Sequence, residues 1–73
     1  MISQQEIWRV LQARLNSEAW TPLDEIYRIV ENDCSIGDAP RLKWTRNVRN
    51  VLQRRKASGE VLWDGKGSYR IAP

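Results

Sequence analysis

From Arg41 to Lys56 the chain places seven Lys or Arg among sixteen residues, at positions 41, 43, 46, 49, 54, 55 and 56, with no acid between them. A helix that faces only water usually mixes signs, because opposite charges at i, i+4 help and like charges repel. Here Lys43 has Asn47 at i+4 and Arg46 has Asn50, so the repulsion stays uncompensated within the segment. These side chains suit a polyanion. Lys and Arg reach phosphates, while Asn matches adenine edges and Arg matches guanine edges in a DNA major groove. The expected contacts are Arg41, Lys43, Arg46, Asn47, Arg49, Asn50 and Arg54. Two more lie further on: Lys66, between Gly65 and Gly67, suits a backbone or minor-groove contact, and Arg70 suits a phosphate. The same cations would also serve as a solubilising surface, or pair with acids elsewhere in the chain.

Charge along the whole chain sharpens the contrast. The formal net charge of +3 divides into −4 for residues 1–40, which hold three arginines and seven acids, and +7 for residues 41–73, which hold nine cations and two acids. So sharp a separation in 73 residues predicts one polyanion-facing side. The length allows one domain, residues 1–73, and the hydrophobic share of 41% is that of a folded chain. With four tryptophans and no phenylalanine, the tryptophans are expected to fill much of a small core.

Several classes fall away. A single cysteine and no histidine exclude an internal disulfide, a zinc finger and any histidine-based catalysis. No apolar run approaches the roughly 20 residues of a membrane span, and the N-terminus lacks a signal-peptide pattern. The expectation is a cytoplasmic protein with no membrane, metal or cofactor. Asp64-Gly65-Lys66 mimics the end of a restriction-nuclease site, but that chemistry needs a second carboxylate on an adjacent strand to hold magnesium, and the triplet falls in a turn. The acidic loop from Asp33 to Asp38 misses the calcium-loop spacing. Cys34 has no basic neighbour to lower its pKa, so an inert thiol is expected. No catalytic residue is assigned, and the chain reads as a non-enzyme.

The elements that must carry the cations follow from capping and periodicity. Ser3-Gln4-Gln5-Glu6 reads as a capping box opening a helix over about residues 4–16, with Ile7, Val10, Leu11 and Leu15 on one stripe and Trp8, the tryptophan expected to be partly exposed, at its margin. Thr21-Pro22-Leu23-Asp24 predicts a second start, with Thr21 as N-cap and a helix over about 22–32. Ala19-Trp20 would add a short edge to a sheet formed elsewhere. After the loop 33–40, Asp38 or Pro40 introduces a third helix that runs to about Ser58 and stops at Gly59. Its apolar face is Trp44, Val48, Val51 and Leu52; Arg55 falls in that sector, with its stem packed and its head at water. Leu42 lies off the stripe, so it belongs to the helix entry or marks a partner contact.

A hairpin closes the chain. Pairing Val61 with Ile71 and Trp63 with Tyr69 leaves Gly65-Lys66-Gly67 as a three-residue turn and puts Val61, Trp63, Tyr69 and Ile71 on one face. Trp44, Trp63 and Tyr69 are therefore expected in the core rather than on a single-strand stacking platform. Because a lone hairpin is unstable in water, its apolar face must cover the helices. Helix, short edge, helix, loop, basic helix, hairpin is the order of a winged helix-turn-helix, an α+β fold of three helices followed by a C-terminal β-hairpin wing.

The stretch Lys43-Trp44-Thr45-Arg46-Asn47-Val48-Arg49-Asn50-Val51-Leu52-Gln53, then Lys56, Gly59-Glu60-Val61 and Gly67-Ser68-Tyr69-Arg70-Ile71, with the Trp20-Thr21-Pro22-Leu23 entry, resembles a family of bacterial winged-helix domains. These occur as small stand-alone proteins and as N-terminal modules of predicted restriction endonucleases. The resemblance covers nearly the whole chain and is most specific over the third helix and wing. It implies a module that binds double-stranded DNA through helix 41–58 in the major groove, with the wing at 64–68 as a second contact. Restriction-modification or transcription regulation would be the setting, and any nuclease would be a separate effector. Two other readings stay open: a protein-interaction winged helix that docks a basic partner or a second copy through its acidic helices, and a winged helix that grips A-form RNA.

Overall fold

Ser3 opens the first helix, its Oγ accepting the Glu6 N–H at 3.1 Å, and α1 runs over Gln4–Arg14 in the computed structural model, which describes residues 3–73. The Glu6 carboxylate, expected to reach back to Ser3, accepts the Ser35 N–H at 3.0 Å instead. It thereby ties α1 to the chain leaving the second helix. α1 is shorter than its periodicity suggests. Leu15 turns extended and stays buried, and Asn16 is drawn into other bonds: its side chain accepts from Glu18 N–H at 2.8 Å and its carbonyl accepts from Ile71 N–H at 3.0 Å.

The edge segment forms two residues later than expected, as β1 over Thr21–Pro22. Thr21 is consequently not the N-cap of α2 (Leu23–Asp33); Pro22 holds that position without a side-chain cap, because the Thr21 backbone is committed to the sheet. Proline is tolerated there since an edge strand leaves its N–H side unpaired.

α3 spans Arg41–Ala57, entered at Pro40. It ends in a Schellman arrangement: Glu60 N–H donates to Arg55 O at 2.8 Å and Gly59 N–H to Lys56 O at 3.1 Å, with Gly59 at φ +84°. The glycine is required there, and it delivers the chain directly into β2 (Val61–Trp63). β3 (Ser68–Ile71) returns between the other two strands, giving an antiparallel sheet of order β1-β3-β2. The hairpin register is the expected one, Val61 opposite Ile71, Leu62 opposite Arg70 and Trp63 opposite Tyr69. β1 adds Thr21 opposite Tyr69 and Pro22 opposite Ser68, and Leu23 N–H donates to Gly67 O at 3.0 Å.

The result is a small α+β fold of three helices and a three-stranded sheet. Its centre is aliphatic: Ile7, Leu11, Ile26, Val30, Val48, Leu52 and Val61 are fully buried. Each comes from the face its element's period assigns, which is why amphipathic helices and one hairpin face suffice to close the core. The tryptophans divide differently from expectation. Trp8 is only 8% exposed, whereas Trp63 is 45% and Trp20 is 42% exposed. Trp8 is covered because Arg55 of α3 sits over its ring, at 4.6 Å from guanidinium carbon to centroid. Trp63 falls at the hairpin end, where the residue above it is not apolar but Lys56, with Nζ 4.2 Å from the ring centroid.

Candidate nucleic-acid interface

α3 sorts its side chains by chemistry. Trp44, Thr45, Val48, Val51 and Leu52 are buried, and Thr45 spends its hydroxyl on Arg41 O at 2.7 Å. Lys43, Arg46, Arg49, Asn50, Arg54 and Lys56 are exposed, and Asn47 is half-buried. Two cations of the helix have carboxylate partners. Arg41 approaches Glu31 at 3.7 Å, and Arg55 holds Glu60 at 3.0 Å. Among the described residues, Lys43, Arg46, Arg49, Arg54 and Lys56 have no carboxylate within ion-pair distance. The acidic half of the chain therefore leaves most of the basic helix uncompensated, although it does take Arg14, paired with Asp33 at 3.1 Å.

Arg41 is the most engaged of the expected contacts. Its guanidinium lies 5.8 Å from the Tyr27 centroid and 5.3 Å from that of Trp44, and those two rings meet edge-on at 5.9 Å. Cation–π attraction and the Glu31 pair hold it against α2, so it anchors the helix entry more than it reaches outward. Arg70 is held too. It sits over Trp20 at 4.7 Å from centroid, and its Nε is buried without a hydrogen-bond partner. The other edges of its guanidinium remain available to an acceptor.

The hairpin tip is built by Asp64. Its Oδ1 accepts the Lys66 N–H at 2.7 Å and the Ser68 N–H at 3.0 Å, and those two bonds hold its carboxyl below the ordinary Asp range. Gly65 at φ +84° and Gly67 at φ +103° supply left-handed backbone, leaving Lys66 exposed at the apex. Asp64 is thus a turn residue, as its place in the sequence implied, and among the described residues no cluster of acids, cysteines or histidines could hold a metal.

Two grooves flank α3. One, of about 670 Å³, runs between the loop at Ile36–Pro40 and the helix start, and brings Lys43, Arg46 and Asn47 to one wall. The other, about 460 Å³, lies between α1 and the end of α3 and carries Arg54 beside Gln4 and Gln5. Arg49 and Asn50 line neither, standing on the helix's outer face. Lys66 and Arg70 belong to the hairpin and are not brought into either groove.

No family model, curated protein or solved structure matches this chain. Its own residues must carry the functional reading.

Sequence reasoning left two residues outside the site that the structure places on its surface. Lys56 bridges the end of α3 to the hairpin through Trp63, a contact that required knowing where β2 lands. Leu42 is 78% exposed, and its position off the apolar stripe was the available signal. Cys34 is buried at the end of α2; burial first, then Glu6 and Asp33, push its thiol up to about 11. No helix is long and apolar enough to cross a membrane among the described residues.

Proposed function

We propose that this chain is a winged helix-turn-helix that binds double-stranded DNA, with α3 in the major groove and the β2–β3 hairpin as a wing against the backbone or minor groove. It acts as a recognition module without catalytic chemistry of its own, and any cutting or signalling belongs to a separate effector. The observation that carries the reading is the row of exposed cations on α3, Lys43, Arg46, Arg49, Arg54 and Lys56, left without carboxylate partners among the described residues. A seventeen-residue helix is about 25 Å long, and a B-form major groove is about 12 Å wide and accepts one helix. Leaving like charges crowded on one face costs stability unless a polyanion neutralises them.

In that pose Lys43, Arg54 and Lys66 meet phosphates, and Arg46, Asn47, Arg49 and Asn50 face base edges. Asn50 stands one turn beyond Arg46, so adjacent base pairs come within reach of two different donor patterns. Arg41 and Arg70 contribute less to binding because Tyr27, Trp44 and Glu31 already hold Arg41 and the Trp20 ring already holds Arg70.

The test is anisotropy with a labelled mixed-sequence DNA duplex, the matching RNA duplex and the single strand, for wild type and for Arg46→Glu/Arg49→Glu. The reading predicts tightest binding to duplex DNA and loss of that binding in the double variant. Preference for the RNA duplex transfers the interface to A-form RNA, and no binding to any of the three removes it.

A further inference from the structure

Leu42 stands on the exposed side of α3, 78% accessible, in a helix whose other large aliphatic side chains are buried. A single exposed leucine is ordinary on a protein surface. Its neighbours here are not ordinary. With 3.6 residues per turn, positions 42, 46, 49 and 53 form one i, i+4, i+7, i+11 row, so Leu42 heads the line that continues through Arg46, Arg49 and Gln53. It is therefore an apolar group at the start of a row of hydrogen-bonding ones. Thr45, the nearest other methyl-bearing side chain of that turn, is buried with its hydroxyl bonded to Arg41 O at 2.7 Å, so it cannot share the role. The first turn is also the part of a recognition helix that meets base edges in helix-turn-helix docking.

The major groove offers an apolar group to such a side chain: the C5-methyl of a pyrimidine, carried by thymine and by 5-methylcytosine. We infer that Leu42 is a specificity residue that reads a pyrimidine C5-methyl group, while Arg46 and Arg49 read the polar edges further along the same row. This rests on the proposal that α3 lies in the DNA major groove. Packing one methyl against Leu42 removes it and the leucine tip from water together, and a buried methyl group corresponds to about a fourfold change in affinity.

The experiment selects a preferred site for the wild-type protein from a randomised duplex pool. It then measures affinity for that site with each thymine replaced in turn by deoxyuridine, which removes only the methyl, and with each cytosine replaced by 5-methylcytosine. The same series is run for Leu42→Ala and Leu42→Gln, neither of which disturbs the core because the side chain is exposed. We expect one position at which deoxyuridine weakens wild type about fourfold and leaves Leu42→Ala unchanged, the coupling that marks a direct contact. If the site instead holds cytosine there, 5-methylcytosine strengthens wild type and not the variants, which assigns the modified base. Methyl sensitivity that persists in both variants, its absence at every position, or a pool that yields no preferred sequence overturns the assignment of Leu42. Failure of the wild type to bind any duplex defeats the underlying DNA reading itself, which the variants cannot do.

Discussion

The guanidinium of Arg55 sits 4.6 Å from the ring centroid of Trp8, and the same group holds Glu60 at 3.0 Å. One arginine of the basic helix thus closes the seam between α1 and α3 and braces the turn into β2. The basic residues of α3 are consequently of two kinds. Arg41 and Arg55 are structural, each with an aromatic face and a carboxylate. Lys43, Arg46, Arg49 and Arg54 have neither among the described residues, and Lys56 stands between the two kinds, with the Trp63 ring but no carboxylate.

That division predicts opposite effects from similar mutations. Arg55→Ala should lower unfolding stability by about 1–2 kcal/mol, through lost cation–π attraction and lost cover over Trp8. Arg46→Ala or Arg49→Ala should stay within about 0.5 kcal/mol of wild type while weakening duplex binding. Urea midpoints and duplex affinities on the same variants separate the two kinds. Equal destabilisation by all three would contradict the division.

Gly67 allows a second check. Its φ of +103° is unfavourable for a side chain, yet a Cβ there would meet nothing within 4 Å. Gly67→Ala should therefore cost about 1–2 kcal/mol from backbone conformation alone. A strain of that origin also disturbs the Gly67 carbonyl that receives the Leu23 N–H. Amide exchange at Leu23 should accelerate, and unchanged exchange there with unchanged stability would show that the turn is not held as described.

The pH dependence of the tip follows from Asp64. Its folded-state pKa is lowered by bonds from Ser68 and Lys66 N–H. A depressed carboxyl pKa stabilises the fold above the unfolded value of about 4, and the contribution is lost as pH falls through the lower folded value. The stability gap between wild type and Asp64→Ala should be full at neutral pH and shrink below about pH 4. A gap that persists unchanged down to pH 2 would show that it does not come from the ionised carboxylate.

Cys34 should be slow to react. With its thiol buried and pushed up to about 11, almost no thiolate exists at pH 7.5 in the folded protein. Labelling by a disulfide reagent should follow unfolding, fast in denaturant and slow without it. Immediate stoichiometric labelling of the native chain would place the thiol at the surface.

Much of this arrangement was legible in the sequence because local signals determine it. The α3 wheel names its own buried face, and the glycines at 59, 65 and 67 mark backbone that only they adopt readily. The hairpin register followed from keeping apolar residues on one face. What was not legible involved a choice between a local partner and a distant one. Thr21 has the chemistry of an N-cap, but its backbone is taken by Tyr69, forty-eight positions along the chain. Glu6 has the spacing of a capping box, but its carboxylate goes to Ser35. Trp8 and Trp63 exchanged roles for the same reason: the cover over each ring comes from a cation of α3 whose reach depends on how the elements pack. At the candidate interface, the row of cations was visible from composition. Which of them are already paired required the tertiary fold.

The central claim is that the unpaired cations of α3 bind duplex DNA, and a salt titration of duplex affinity tests it most directly. With Lys43, Arg54 and Lys66 on phosphates, log K should fall linearly with log salt at a slope of about −3, a loss of about fortyfold between 50 and 200 mM. Arg54→Ala or Lys66→Ala should each reduce that slope by about one. A flat salt response, or no duplex binding at 50 mM salt, would contradict the account.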